Sequence, residues 1–577
     1  MRGRRRGEVR RSQLVTTYGV GAIVAVEDES FMVAGIDRWG VGEPNLHEPR
    51  LERELHVRGF VSPPATEDGE DIPVVRFPTW HSCPTCRRLD KHGFFTSADR
   101  NTCGECEQRL IPSRFVIACA RGHVDDFPYF QWVHAGSRPT GTEHVMAIEA
   151  GGTSASLRSI VISCSCGKKA TMEGAFGRQA LRGIVTCSGR RPWLTGGPEK
   201  CSELPRTLQR GASNVWFPVL RSALSIPPWS EGAFKILNRH WSMLRHIPDD
   251  AVRPTIFGMN LARGTQYSVD DLALAVGQRK EREETPASPT EQSIRAQEYE
   301  ALLRGRPEVS RDQDFVCTPV EQSDPITSEW FEQVMKVKRL REVRVLESFT
   351  RILPPSSGDP QERRGRLFEE PTGWLPGIEV IGEGVFLRLN PSALAEWERR
   401  REVSARAERI NQNYIRKSTT LGAAPDRVVS PRLLLLHTLS HVLINQWALD
   451  SGYPAASLRE RLYVSEEMAG LLIYTATSDS AGSLGGVVGQ AEPGRLAAAL
   501  SQGLERASWC SADPLCIEAD ATGPDSLNLA ACHACVLLPE VSCEEMNLLL
   551  DRGLLVGTPG GPSLGYFSTL SARLQNG

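Results

Sequence analysis

Cys83-Pro-Thr-Cys86, sixteen residues, then Cys103-Gly-Glu-Cys106: this stretch decides how the chain is built. Each C-x2-C turns the backbone on itself so that two thiolates face one way, and two such turns complete a tetrahedral zinc ribbon. Two further sets of four follow. Cys164 and Cys166 precede Cys187 and Cys201, and near the other end Cys516, Cys532, Cys535 and Cys543 recur, with Cys510 or His533 as substitutes. Twelve of the fifteen cysteines thus fall into three sets. The alternative is simple burial, since free cysteine is among the most buried residue types. It fails for the first set, where Arg87, Arg88, Asp90, Lys91 and Glu105 surround the thiols. Disulfides are the third option. The opening Met-Arg-Gly-Arg-Arg-Arg has no apolar stretch behind it, so the expectation is no secretory signal, a cytoplasmic location and reduced thiols.

Length and composition set the class. At 577 residues, 40% hydrophobic and 24% charged, the chain has room for two to four domains, each with its own core. No run of eighteen apolar residues exists to span a bilayer, so no membrane role is expected. A net charge of −3 gives no global attraction to nucleic acid. Local basic runs do occur, at Arg4, Arg5, Arg6, Arg10 and Arg11 and at Lys336, Lys338 and Arg339, and these are the candidate DNA contacts. Their alternative is a solvated face.

Along the chain, residues 12–39 hold two β-rich apolar runs separated by an acidic turn, which predicts a hairpin. Gly19-Val-Gly21 precedes the first run instead of joining a strand to a helix, so it serves a turn, not a dinucleotide. Phe77, Trp80, Phe94 and Phe95 are expected around the metal knuckles. The strand Phe115-Val-Ile-Ala leads to Cys119, His123, Asp125, Asp126 and His134, a candidate catalytic or metal cluster; the competing reading buries Cys119 and gives Asp125 or Asp126 to a helix cap. A polar stretch at residues 277–290 reads as a linker. Helices are expected over Ser328–Leu346 and from Ser430-Pro431 to Gly452. The latter carries His437 and His441 on one face, without the glutamate a zincin needs after the first histidine. Ser457-Leu-Arg-Glu460 reads as a capping box, and Gly470–Thr477, Asp479–Gly482 and Leu484–Val488 as a hairpin. No G-x4-G-K-[ST] sequence and no G-x-S-x-G elbow occur, so neither an ATP motor nor a hydrolase elbow is expected.

The expected fold is therefore α+β and multi-domain, with small zinc-ribbon-like modules inserted among mixed α/β segments. Its expected divisions are a β-rich segment (1–75), the ribbon (76–115), a mixed domain with the second cysteine set (116–280), a helical and β linker region (291–425) and a zinc-binding C-terminal domain (426–577).

With those motifs in place, the chain resembles the DrmB family of the DISARM bacterial anti-phage systems. The resemblance is carried by Ser12-Gln13-Leu14, Tyr18-Gly19-Val20-Gly21, Cys119 with Gly122-His123, Asp126-Phe127-Pro128, Arg210–Pro218 and Leu340-Arg341-Glu342-Val343. The last third, with His437-Thr-Leu-Ser-His441, Ile473-Tyr474-Thr475, Gly485-Gly486, Asp513-Pro-Leu-Cys516 and Cys532-His-Ala-Cys535, looks like the terminal domain of MrfA-type DNA-repair helicases. The resemblance implies zinc on Cys516, Cys532, Cys535 and Cys543, with Cys510 spare. It implies a superfamily 2 helicase partner of the DrmA type, and DNA bound through the complex without base readout. Two rivals stand beside it. One is a metal-dependent nuclease or hydrolase built on Cys119, His123 and Asp126 or on His437 and His441. The other is a DNA-binding adaptor that works without a motor.

Overall fold

The computed structural model describes residues 6–64, 71–95, 101–137, 144–151, 156–283, 288–310, 312–321, 324–355, 359–420, 424–475 and 486–570. The fold is α+β, with mixed helices and mostly antiparallel sheets. Two compact units form. One comprises residues 1–45, 59–221 and 345–378, and the other residues 46–58, 222–344 and 379–577.

The first unit carries three small sheets. The expected hairpin is present as Ile23–Val26 against Glu29–Val33, extended by Val74–Arg76. Its turn falls at Glu27 and Asp28, where Glu27 takes a φ of 51°. A six-stranded sheet runs Lys169–Thr171, Ile160–Cys164, Met146–Ala150, Arg88–Lys91, Trp80–Ser82 and Ile111–Pro112. The ribbon strands therefore continue directly into those that carry Cys164. A third sheet places Phe115–Ala118 between Arg206–Gln209 and Val124–Asp126. The core beneath them is aromatic, with Phe115, Phe127, Tyr129 and Phe176 meeting edge to face.

In the second unit, the strand segments 222–224, 331–344 and 379–389 and the strands Ala469–Thr475 and Leu458–Val464 lie side by side in that order. Helix Pro431–Ser451 belongs to its core, together with helix Pro493–Ser508. Its ends are as the sequence predicts: Ser430 Oγ accepts from Leu433 N at 3.2 Å, Pro431 opens the first turn, and Gly452 closes the helix at φ 71°. Every residue from Leu433 to Ile444 is buried, and a helix apolar on all sides belongs inside a core.

Two expected helices are not helices. Ser328–Leu346 yields only a short helix, Pro325–Trp330, and then the twenty-residue strand Phe331–Thr350. Met335, Val337, Val343 and Val345 alternate with charged neighbours and are fully buried, which is period-two patterning in a β-branched run. The proposed capping box at Ser457–Glu460 is instead the entry to strand Leu458–Val464, paired antiparallel with Ala469–Thr475. The Glu460 side chain turns inward rather than back to a helix terminus. Of the predicted hairpin, Ala469–Thr475 is a strand paired with Leu458–Val464, while Asp479, Gly482 and Gly485 lie outside the described residues.

Candidate metal centres

Fourteen of the fifteen cysteines fall into five groups of four ligating side chains, each with its donor atoms within 4.8 Å of one another. The fifteenth, Cys317, is buried in an apolar core. A zinc ion bonded to thiolates at about 2.3 Å sets tetrahedral S···S edges of about 3.8 Å, and S···N edges of about 3.6 Å to an imidazole. A disulfide would bring sulfurs to about 2.05 Å.

The first group is Cys83, Cys86, Cys103 and Cys106, with Cys86 and Cys103 Sγ 3.9 Å apart. Each knuckle is closed the same way. Arg87 N donates to Cys83 O and Glu107 N to Cys103 O, which puts Arg87 and Glu107 in left-handed conformations at φ 62° and 54°. Of the four aromatics expected there, only Phe95 packs on the knuckles. Phe94 is exposed, Phe77 is buried elsewhere and Trp80 stacks on Tyr129.

The second predicted set is not one centre. Cys187 and Cys201 join Cys119 and His123, whereas Cys164 and Cys166 join His134 and His144. The reason is the sheet layout: Cys119 and His123 flank the turn between strands Phe115–Ala118 and Val124–Asp126, while Cys164 ends a strand of a different sheet. In the first of these centres Cys119 Sγ lies 3.4 Å from His123 Nδ1 and 4.0 Å from Cys201 Sγ, and Cys187 Sγ lies 3.6 Å from the same nitrogen. His123 Nε2 faces Glu199 at 3.1 Å, which reserves Nδ1 for the sulfurs. Hydrogen bonding to Cys119 draws the Cys187 thiol down to about 4 despite its burial, and raises that of Cys119. Gly189 beside Cys187 is at φ 67°, and a Cβ there would sit 1.7 Å from Glu199 O. The space beside Cys119 amounts to about 10 Å³, room for one water and no substrate.

In the neighbouring centre His134 Nδ1 sits 2.7 Å from Phe130 O, leaving Nε2 at 3.3 Å from Cys166 Sγ. His144 Nδ1 is 3.1 Å from Cys164 Sγ. The backbone N–H of Lys168 and the His134 ring lower the Cys166 thiol to about 6. Asp126 belongs to neither centre and caps no helix: its carboxylate accepts from Thr79 N at 2.7 Å, Thr79 Oγ1 at 2.6 Å and Trp80 N at 3.2 Å.

In the second unit the cysteine tetrad is Cys510, Cys516, Cys532 and Cys535. Its recorded edges are 3.4 Å for Cys510 to Cys532, 3.8 Å for Cys516 to Cys535 and 3.7 Å within the C-x2-C. Cys510 thus takes the place expected for Cys543, and His533 is exposed. The loop is held by Asp513, which accepts from Cys510 N at 2.8 Å and Ile517 N at 3.0 Å and pairs with the buried Arg552. Cys543 instead meets His437, His441 and Glu460.

The basic candidates are scattered among carboxylates. Lys336 pairs with Glu492 at 2.7 Å, Arg339 with Glu308 at 3.1 Å and Arg6 with Glu29 at 3.5 Å. Lys338, Arg10 and Arg11 are exposed, and Arg4 and Arg5 lie outside the described residues.

The sequence is matched over residues 10–217 by a domain of unknown function (DUF8724) and over residues 439–536 by the MrfA Zn-binding domain. It is 30% identical over 565 residues to the DISARM protein DrmB of Bacillus paralicheniformis, a match that spans 92% of this chain and 97% of the relative. The chain belongs to the DrmB family. In this DrmB family member the match of unknown function takes in every ligand of the first unit's three centres, and the MrfA Zn-binding match takes in the whole Cys510, Cys516, Cys532 and Cys535 tetrad but ends before Cys543. Sequence reading named His134 but grouped it with Cys119 and His123 instead of Cys164 and Cys166, and it did not single out His144 or Glu460 as candidate donors. Nothing in linear spacing marks His144 or Glu460. Among the described residues no helix is long and apolar enough to cross a membrane.

Proposed function

We propose that this chain is a non-catalytic, zinc-stabilised subunit of a cytoplasmic anti-phage assembly, which docks on a superfamily 2 helicase of the DrmA type and supports its binding to and movement along DNA. The observation that carries this reading is the near full-length match to a DISARM protein, taken with centres whose four protein donors leave no ligand position for substrate. Structural zinc of this kind contributes about 10 kcal/mol or more to folding, so the metal's work is to hold small loops that lack cores of their own. DNA contact would fall to exposed basic residues such as Lys338, Arg10 and Arg11, giving salt-sensitive phosphate binding without base readout. The placement of Asp126 on Thr79 and Trp80 supports this reading over a nuclease, which needs that carboxylate beside His123.

The test is to purify the chain alone and with a co-expressed DrmA-type helicase, and to follow DNA-stimulated ATP hydrolysis. Co-purification, no hydrolysis by the chain alone and altered hydrolysis in the complex are expected. Cleavage of nucleic acid by the isolated chain, or two proteins that elute apart, would overturn it. Cys535→Ser should unfold the tetrad loop and abolish co-purification; a stable variant with full zinc content that still binds the helicase contradicts the structural role.

A further inference from the structure

We infer that His437, His441, Glu460 and Cys543 form an additional, fully enclosed zinc site of mixed N2OS donors, separate from the cysteine tetrad in the same unit. No residue of it is more than 4% exposed. His437 and His441 lie one turn apart on helix Pro431–Ser451, so both rings leave the same face. Each ring is oriented by a backbone carbonyl: His437 Nδ1 is 3.2 Å from Leu549 O and His441 Nδ1 is 2.8 Å from Val536 O. Donation from both Nδ1 atoms fixes the tautomer and aims both Nε2 lone pairs inward. There they converge on Glu460, with Oε1 at 3.2 Å from His437 Nε2 and 3.7 Å from His441 Nε2, and on Cys543, with Sγ at 3.1 Å from His437 Nε2. Zinc bonds of about 2.0 to 2.3 Å require donor edges of about 3.3 to 3.6 Å, and the observed separations of 3.1 to 3.7 Å bracket them.

Three further observations point to a cation. His441 Nε2 is buried without a hydrogen-bond partner, although it faces two acceptors. The Cys543 sulfur receives two backbone N–H groups, from Glu545 at 3.3 Å and Asn547 at 3.2 Å, an environment built for a thiolate. Glu460 is fixed by Ser440 Oγ on Oε2 and by Glu544 N on Oε1 at 3.0 Å, and the remaining lone pair of Oε1 faces the histidines. The charges close as well. Two neutral imidazoles, one carboxylate, one thiolate and Zn²⁺ sum to zero, the condition for complete burial, with the Cys543 thiol proton released to solvent on binding. With all four positions filled by protein, the site clamps the helix, strand Leu458–Val464 and the loop after Cys535 together and has no open position for hydrolysis. The inference stands whether or not the chain docks on a helicase.

Anomalous scattering from crystals of the intact chain, recorded on either side of the zinc edge, tests it. A peak among these four side chains is expected beside those at the cysteine-rich centres. Peaks at the latter with none here would overturn it, as would a peak responding at the iron edge and not the zinc edge. In solution, Cys543→Ser should lower the zinc count by one per chain in native mass spectrometry; an unchanged count in a folded variant would also overturn it.

Discussion

Arg351 has no exposed surface, and its guanidinium donates to three backbone carbonyls: Gly21 at 2.8 Å, Gly122 at 2.9 Å and Val215 at 2.6 Å. It also lies over the rings of Phe349 and Trp193, at 4.7 and 5.1 Å from their centroids. Burial lowers its pKa to about 9, so it stays charged at neutral pH. This explains the Tyr18–Gly21 motif without a nucleotide: Gly21 sits at φ 78° with its carbonyl on Arg351, and a Cβ there would meet the Phe349 ring at 2.7 Å. Arg351→Met keeps the volume but leaves three buried acceptors without a donor, at about 1 to 3 kcal/mol each. We expect a loss of about 3 kcal/mol or more in urea unfolding of the intact protein. Because Gly122 lies in the turn between Cys119 and His123, one zinc should also pass to a chelator faster than in wild type. An unfolding midpoint like that of wild type would mean the three carbonyls find water instead. The same scale shows the limit of reading ligands from spacing. Cys119 and His123 are recognisable as a pair, but which distant pair lies beside them is decided by sheet partners, and Glu460 meets His437 and His441 only because strand Leu458–Val464 turns its carboxylate inward.

Elements were legible where the local signals agreed. Helix Pro431–Ser451 has its cap, its first-turn proline and its terminal glycine all in sequence, and each sits where expected. Ser430→Ala removes the acceptor for Leu433 N and should lower stability by about 1 kcal/mol while leaving zinc content unchanged, checked by urea midpoint and metal analysis. A loss of metal from this variant would show that the helix start is coupled to the histidine site about two turns further on. Strand Phe331–Thr350 was not legible, because its Lys and Arg residues imitate a charged helix face. Every residue from Leu340 to Leu346 is buried, and the strand prevails because Glu342 and Arg344 are paired inside the sheet at 2.6 Å and so cease to demand solvent. Ser457–Glu460 failed for a related reason: the glutamate that completes a capping box is claimed by buried imidazoles.

At the scale of the molecule, each unit is assembled from three separate stretches of chain, an arrangement that composition shifts along a sequence cannot display. What ties the stretches of the second unit together, beyond its apolar core, is a buried ion pair. Arg461 grips Glu298 with Nε at 2.7 Å and Nη2 at 2.8 Å and donates to Ser222 Oγ at 2.7 Å, while Glu298 also accepts from Leu224 N at 2.8 Å and Tyr463 OH at 3.2 Å. Burial pushes the Glu298 carboxyl up, but the Arg461 charge outweighs it and holds the group below its ordinary range. A depressed folded pKa gives stability that is complete above the unfolded value of about 4.3 and is lost as pH falls from there through the folded value. Glu298→Gln removes the nearest of the carboxylates around Arg461, with Glu342 and Glu544 remaining at 3.8 and 3.9 Å, and should cost about 1.5 to 3 kcal/mol at neutral pH. On acidification both proteins lose thiolate-bound metal alike, so the difference between them isolates this carboxylate. That difference, measured by urea unfolding of the intact chain from about pH 7 down to about pH 3.5, should be constant above about pH 4.3 and shrink below it. A difference that stays constant to the acid end would mean that the Glu298 carboxyl titrates alike in the folded and unfolded chains, and Arg461 would then not act as the electrostatic tie between helix Glu291–Arg304 and strand Leu458–Val464.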